Sequence, residues 1–243
     1  MLIAGQPQFE TQDDAGIGHG IPPIPEWQRE LPTALLTDAP ELRSLDVEDE
    51  VGNVFLRLRN VFLAAERTPF SSTRLHDLAC FVIHRLLLSA PKGERVSSPL
   101  TESVRCATVL YMFIIQGPTY FSHAVIFNQI LNRLVGHLEE AEETPNVHES
   151  LKVWLLSVGL VASAGTPHYP RFVEKAAATA KSLPLGSWGD ALAHIQRILW
   201  LGTLHIEDLF RPHWGVALAA ASHPEPPDLE GCLLPRVTGS GFI

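Results

Sequence analysis

Residues 99–118 read PLTESVRCATVLYMFIIQGP. Pro99 stands where a helix starts well, since its fixed φ suits the first turn and its missing N–H is not needed there. Gly117-Pro118 cannot carry the helix on. Between them lies an unbroken stretch whose second half, Cys106 to Ile115, is strongly apolar. The other long apolar run is Trp154 to Gly165. Both fall far short of the roughly 20 residues needed to cross a bilayer. They read as helices buried in a protein core, and they set the fold class as all-α.

Helical periodicity spreads outward from this stretch. Val47, Val51, Val54, Phe55, Leu58, Val61 and Phe62 recur at spacings of three and four, one face of an amphipathic helix. Asp46, Glu48, Asp49 and Glu50 sit at its start, where carboxylates favour the positive end of the helix dipole. That placement accounts for the acidic cluster without a metal. Ser71-Ser72-Thr73 offers caps for a second helix carrying Leu75, Leu78, Phe81, Val82, Leu86 and Leu87, broken at Pro91-Lys92-Gly93. The third is Pro99 or Leu100 to Gln116. A fourth is predicted over Phe121 to Leu138. A fifth runs from Asn146 or Val147 to Ala164, and a sixth from Tyr169 to Leu183. Ser187 caps a seventh, with Asp190 three residues on as a weak capping box, reaching to about Phe210. No period-two run flanked by turn pairs is found. The expectation is a single helical domain of about seven or more antiparallel-packed helices over 27–222. Residues 1–26, with Ile21-Pro22-Pro23-Ile24-Pro25, read as a disordered arm, and 223–243 as a flexible tail.

Composition narrows the function classes. Apolar residues make up 46 % of the 243 residues and charged residues 19 %, so most of the chain is expected to fold. Against 27 acidic residues stand 18 basic ones, a net charge of −9, with no basic run. This disfavours binding to phosphate backbones and to anionic membrane surfaces. Arg57, Arg59, Arg85 and Arg133 occur singly and read as solvated helix faces. Cys80, Cys106 and Cys232 form no C-x-x-C pair, so a reducing, intracellular compartment is expected. The first residues lack the basic and apolar regions of a signal peptide.

The search for chemistry yields no catalytic, cofactor or metal residue. Eleven histidines prompt a metal test, but no pair has H-E-x-x-H spacing. His76 and His84 lie on one sequence segment yet roughly 12 Å apart along a helix axis. Gly16-Ile17-Gly18-His19-Gly20 follows no strand and opens no helix, so it fails as a nucleotide loop. There is no G-x-S-x-G and no P-loop. Glu139, Glu140, Glu142 and Glu143 read as a solvated helix end. The tryptophans Trp27, Trp154, Trp188, Trp200 and Trp214 read as core, with an apolar pocket between helices as the alternative use.

The order of several short motifs resembles a known family. Leu100-x4-Arg105-Cys106-Ala107-x2-Leu110-Tyr111 is similar to the L-x4-R-x-A-x-L-L-Y helix of the fungal-specific transcription factor domain. Trp154-Leu155-Leu156-Ser157-Val158-Gly159 resembles its L-W-L-L-x-x-G-G helix, with Leu160 where a second Gly is common. Arg171-Phe172 resembles a shortened R-x-W-F segment. Leu185-x2-Trp188 and Leu199-Trp200 look like the L-G-L-x-S-W and L-x-x-I-L-W pair, and Trp214 resembles a tryptophan near that domain's end. The resemblance spans Trp27 to about Trp214. It implies an all-helical, nuclear regulatory domain that follows a binuclear zinc cluster. With three cysteines, none in C-x2-C-x6-C order, this chain cannot itself build that cluster. It is expected to be either a shortened relative or the part of a longer protein that follows such a module.

The expected function is therefore a transcription-factor-related regulatory domain, not an enzyme. It would act through a protein partner or a second copy, with no direct nucleic-acid binding and with a small-molecule effector as an option. The alternatives are an inert or dominant-negative remnant that pairs with full-length relatives, and a small-molecule-binding protein or enzyme on a helical scaffold.

Overall fold

The computed structural model describes residues 21–28, 47–89, 97–117, 124–141 and 147–222. Among these residues every regular element is helical: α1 (Asp49–Ala65), α2 (Ser72–Leu88), α3 (Pro99–Gln116), α4 (Ala124–Ala141), α5 (Glu149–Ala162), α6 (Tyr169–Ser182), α7 (Trp188–Ile198) and α8 (Leu204–Ser222). The all-α expectation holds, and no described helix is long and apolar enough to cross a membrane.

The two apolar runs occupy the middle. In α3, 14 of 18 residues are buried, and in α5, 11 of 14. A helix that is apolar all round needs neighbours on every side. Thus α3 packs against α1, α2, α4 and α5, while α5 packs against α3, α6, α7 and α8. Three hydroxyls drawn into this interior bond back to their own helix: Ser103 to the Pro99 carbonyl at 2.8 Å, Thr108 to Val104 at 2.7 Å, Ser157 to Val153 at 2.6 Å. One continuous hydrophobic core extends from Ile24 to Ala217.

Local signals set most boundaries. Ser71 accepts from the Arg74 N–H at 3.2 Å and starts α2, and Ser98 accepts from Thr101 at 3.1 Å and starts α3. At α7 both halves of the capping box form, so the shorter Asp190 does reach: Ser187 N–H donates to its carboxylate at 2.8 Å and Ser187 Oγ accepts from the Asp190 N–H at 3.3 Å. Bonds from the Ser187 hydroxyl and the Gly186 N–H hold the Asp190 carboxyl below its ordinary range.

Three expectations are corrected. First, the seventh helix does not reach Phe210. It stops at Ile198; Leu199 is extended (φ −153°, ψ 118°), and α8 begins at Leu204. The cause is tertiary: Trp154 Nε1 donates to the Leu199 carbonyl at 2.9 Å, and the Leu201 N–H donates to the Tyr111 hydroxyl at 2.9 Å. Two buried side chains thus replace the missing helical partners. Second, the fourth helix continues past Leu138 to Ala141, because Ala141 is itself buried in the core layer. Third, the end of the expected arm is packed. Ile24 is buried, the Trp27 ring stands edge-on to Phe81 at 5.0 Å, and Arg74 pairs with Glu26. The predicted start at residue 121, the Gly16–Gly20 segment, Cys232 and the 223–243 tail lie outside the described residues.

The arginines divide. Arg133 is exposed as expected. Arg57 is half-buried and donates to the Trp27 carbonyl at 3.1 Å and to Asn53 at 3.1 Å, clamping the entering chain onto α1. Arg105 is 4 % exposed. Its Nη1 donates to the Leu86 carbonyl at 3.0 Å, at the negative end of α2, and its Nε pairs with Glu102 at 3.2 Å.

A buried hub and a candidate binding groove

The motif residues converge. The Tyr111 ring lies 6.0 Å from Trp154 and 5.9 Å from Phe210; Phe210 stands edge-on to Trp200 at 5.2 Å, and Trp200 to Trp188 at 6.2 Å. Trp188 and Trp200 are brought together because the chain leaves the helical path at Leu199. Trp214 donates from Nε1 to Ser157 Oγ at 2.9 Å. Gly159 answers to Phe172: a Cβ at Gly159 would stand 2.0 Å from the Phe172 ring, so only glycine lets α6 approach α5 here. Burial pushes the Tyr111 hydroxyl's pKa upward, so it stays a neutral acceptor for Leu201. This assembly is filled and internally bonded. It is a packing hub.

The open space lies on the side of α5 turned away from Trp154. A cavity of about 200 Å³ is bounded by Leu100 of α3, Leu138 and Ala141 of α4, and Val147 before α5. Leu155 and Leu156 of α5 form its floor, and Lys152 of α5 and Lys175 of α6 supply its charge. Leu100, Leu155 and Leu156 are otherwise buried, Leu138 and Lys175 half-buried, and Lys152 exposed. A shallow notch lined by Val135, Arg171 and Phe172 continues the groove past Leu138 and Lys175. Arg171 there is paired with Glu139, so one member of the acidic run serves to join α6 to α4. Glu140 stays exposed beside His137, and Glu142 and Glu143 lie outside the described residues.

Other polar clusters were candidates for chemistry, and their geometry says what each does. Cys80 Sγ is 3.4 Å from His76 Nε2, and His76 Nδ1 is 2.5 Å from the Gln116 side-chain nitrogen. A thiol beside an imidazole held by an amide has the outline of a nucleophile. Yet burial, aided by the Asp77 charge, pushes the Cys80 pKa up, the reverse of an activated thiolate. Cys106 is pushed up to about 12 by burial. His84 is buried and His76 exposed, so the pair shares no site. Ser150 and His194 bond at 3.0 Å, tying α5 to α7, and Tyr169 and His213 at 2.9 Å, tying α6 to α8. Among the described residues no three His, Cys, Asp or Glu side chains gather closely enough to hold a metal ion.

Sequence reasoning named Leu100, Leu138, Val147, Leu155 and Leu156 only as helix ends and motif positions, and neither Lys152 nor Lys175. Lys152 carried a local signal, as the sole basic residue in an otherwise apolar α5. Lys175 sits on a polar helix and gave none. Comparison of the chain with family models, with curated proteins and with solved structures returns no match. The resemblance drawn above therefore rests on its motif residues alone.

Proposed function

We propose that this chain is a regulatory helical domain related to those of fungal transcription factors, acting through a bound partner rather than through catalysis. One observation carries the reading: motif residues far apart in the chain meet in one hub, Tyr111 against Trp154 and, through Phe210, against Trp200, with Trp214 bonded to Ser157 one turn from Trp154. Residues scattered along a chain and assembled into one interlocked centre are what a shared architecture requires. The raised Cys80 pKa fits a non-catalytic role.

The direct test tethers the chain to a heterologous DNA-binding module upstream of a reporter. The reading expects a several-fold change in transcription, in either direction. Unchanged output with confirmed expression contradicts it.

The groove favours a second reading, that of a small-molecule-binding protein on a helical scaffold. Sites of this kind are concave, mostly apolar and fitted with a few polar groups. The two readings are compatible, since a ligand held between helices can bias a regulatory domain.

A further inference from the structure

We infer that α1 and α2 form a docking seat for a proline-spaced peptide of the pattern Ile-Pro-Pro-Ile-Pro-Glu-Trp, and that residues 21–27 of the chain itself occupy that seat as a displaceable plug. This goes beyond the regulatory reading and names the chemistry of a partner.

The segment is built like a separate ligand. Pro22, Pro23 and Pro25 have a fixed φ, and Ile21, Pro22 and Ile24 are each restricted by the proline that follows. The whole run from Ile21 to Pro25 is therefore held near an extended backbone before any contact is made, and little conformational freedom is lost on docking. Burial follows a period of three. Ile24 and Trp27 are buried and Ile21 half-buried, while Pro22, Pro25 and Gln28 are exposed. A bond from the Trp27 N–H to the Ile24 carbonyl at 3.0 Å turns the chain at the end of the motif.

The seat supplies one partner of each kind. Phe81 of α2 meets the Trp27 ring edge-on at 5.0 Å, Arg57 of α1 donates to the Trp27 carbonyl at 3.1 Å, and Arg74 in the first turn of α2 pairs with the Glu26 carboxylate. An aromatic anchor, a main-chain bond and a charge are the parts from which short peptides are recognised. The fit within the chain is incomplete, because Glu26 Oε2 is buried without a hydrogen-bond partner. A buried acceptor left unpaired weakens the docked state relative to the released one, where water satisfies it. The plug is thus anchored in the seat yet open to competition by a peptide of the same spacing.

The full chain carrying Trp27→Ala, and a second full chain carrying Glu26→Arg, are titrated with a fluorescein-labelled peptide of residues 21–28, read by anisotropy. The Trp27→Ala chain is expected to bind the peptide and to melt at a higher temperature in its presence. The parent is expected to bind at least about tenfold more weakly, since its own tethered segment competes at an effective concentration on the order of millimolar. The Glu26→Arg chain, whose plug meets Arg74 with a like charge, is expected to fall between the two. It keeps every core side chain, so it decides the matter where the Trp27→Ala chain does not fold. Adding Arg74→Glu to Trp27→Ala is expected to weaken binding about fivefold, the upper range for a partly exposed pair. A peptide carrying Glu26→Arg is expected to recover that loss, and a peptide carrying Trp27→Ala to bind nowhere. No binding by either variant, equal affinity in parent and variants, or indifference to Arg74→Glu each overturns the assignment. Peptide binding and reporter output are read separately: binding with a silent reporter sinks the regulatory reading and leaves the seat standing, and an active reporter without binding does the opposite.

Discussion

On one face of α5, Trp154 donates to Leu199 and Ser157 accepts from Trp214. On the opposite side of the same helix, Lys152, Leu155 and Leu156 border a cavity. The residues are neighbours in sequence and equally helical, so propensity does not distinguish them. What differs is whether facing elements fill the space and take up the polar groups. The sealed face determines the fold, and changes there are expected to act on stability. On the open face the exposed Lys152 is expected to tolerate change, whereas Leu155 and Leu156 are core on their other flanks.

The largest effect is expected where the cavity side itself closes, one turn beyond Leu155, with Gly159→Ala. The new Cβ meets an aromatic ring held by the core, and overpacking is expected to cost about 3 kcal/mol. Chemical denaturation reads the loss. Adding Phe172→Leu, which shortens the facing group, is expected to recover much of it, a coupling that distant sites do not show. A Gly159→Ala chain as stable as its parent would remove the case for a close α5–α6 contact at the end of the cavity.

Next in size is Tyr111→Phe. It removes only the hydroxyl that accepts from the Leu201 N–H, leaving a buried donor unpaired, and is expected to cost about 2 kcal/mol. Amide exchange at Leu201 is expected to quicken more than exchange within α3.

A smaller effect is expected from pH at the α6–α8 contact. Burial lowers the His213 pKa below the ordinary 6.5. Between the folded and unfolded values the unfolded chain binds more protons, so stability falls as pH drops through the region just under 6.5 and levels off below the folded value. Tyr169 faces the imidazole at 2.9 Å. His213→Gln is expected to flatten that part of the stability-versus-pH curve relative to the parent, and curves that remain parallel would refute the assignment.

The smallest stability effect belongs to the open face. Lys152→Gln is expected to stay within about 0.5 kcal/mol of the parent, as exposed substitutions usually do.

How much of this was legible in the sequence depends on where each cause sits. The extent of α3 was readable because Pro99 and Gly117-Pro118 are local stops, and the starts of α2 and α7 because Ser71 and Ser187 carry their own acceptors. The end of α7 was not readable. Leu199-Trp200-Leu201 continues the apolar period, and the groups that hold it out of the helix, Trp154 and Tyr111, lie 45 and 90 residues away. The burial of Arg105, which entered the sequence reading only as a motif position, was not readable either. The groove was illegible for the same reason as the break: its lysines and leucines come from four segments, and a gap between helices leaves no trace in the periodicity of any one of them.

The contrast between the two faces of α5 is tested most directly by methyl-resolved NMR on the leucine- and valine-labelled chain, with and without benzene, which enters open apolar cavities. The account predicts saturable shifts at Leu138, Leu155 and Leu156, while the hub-side methyls of Leu110, Val158 and Leu199 hold their positions. Shifts spread evenly over both sets, or confined to the hub, would contradict it.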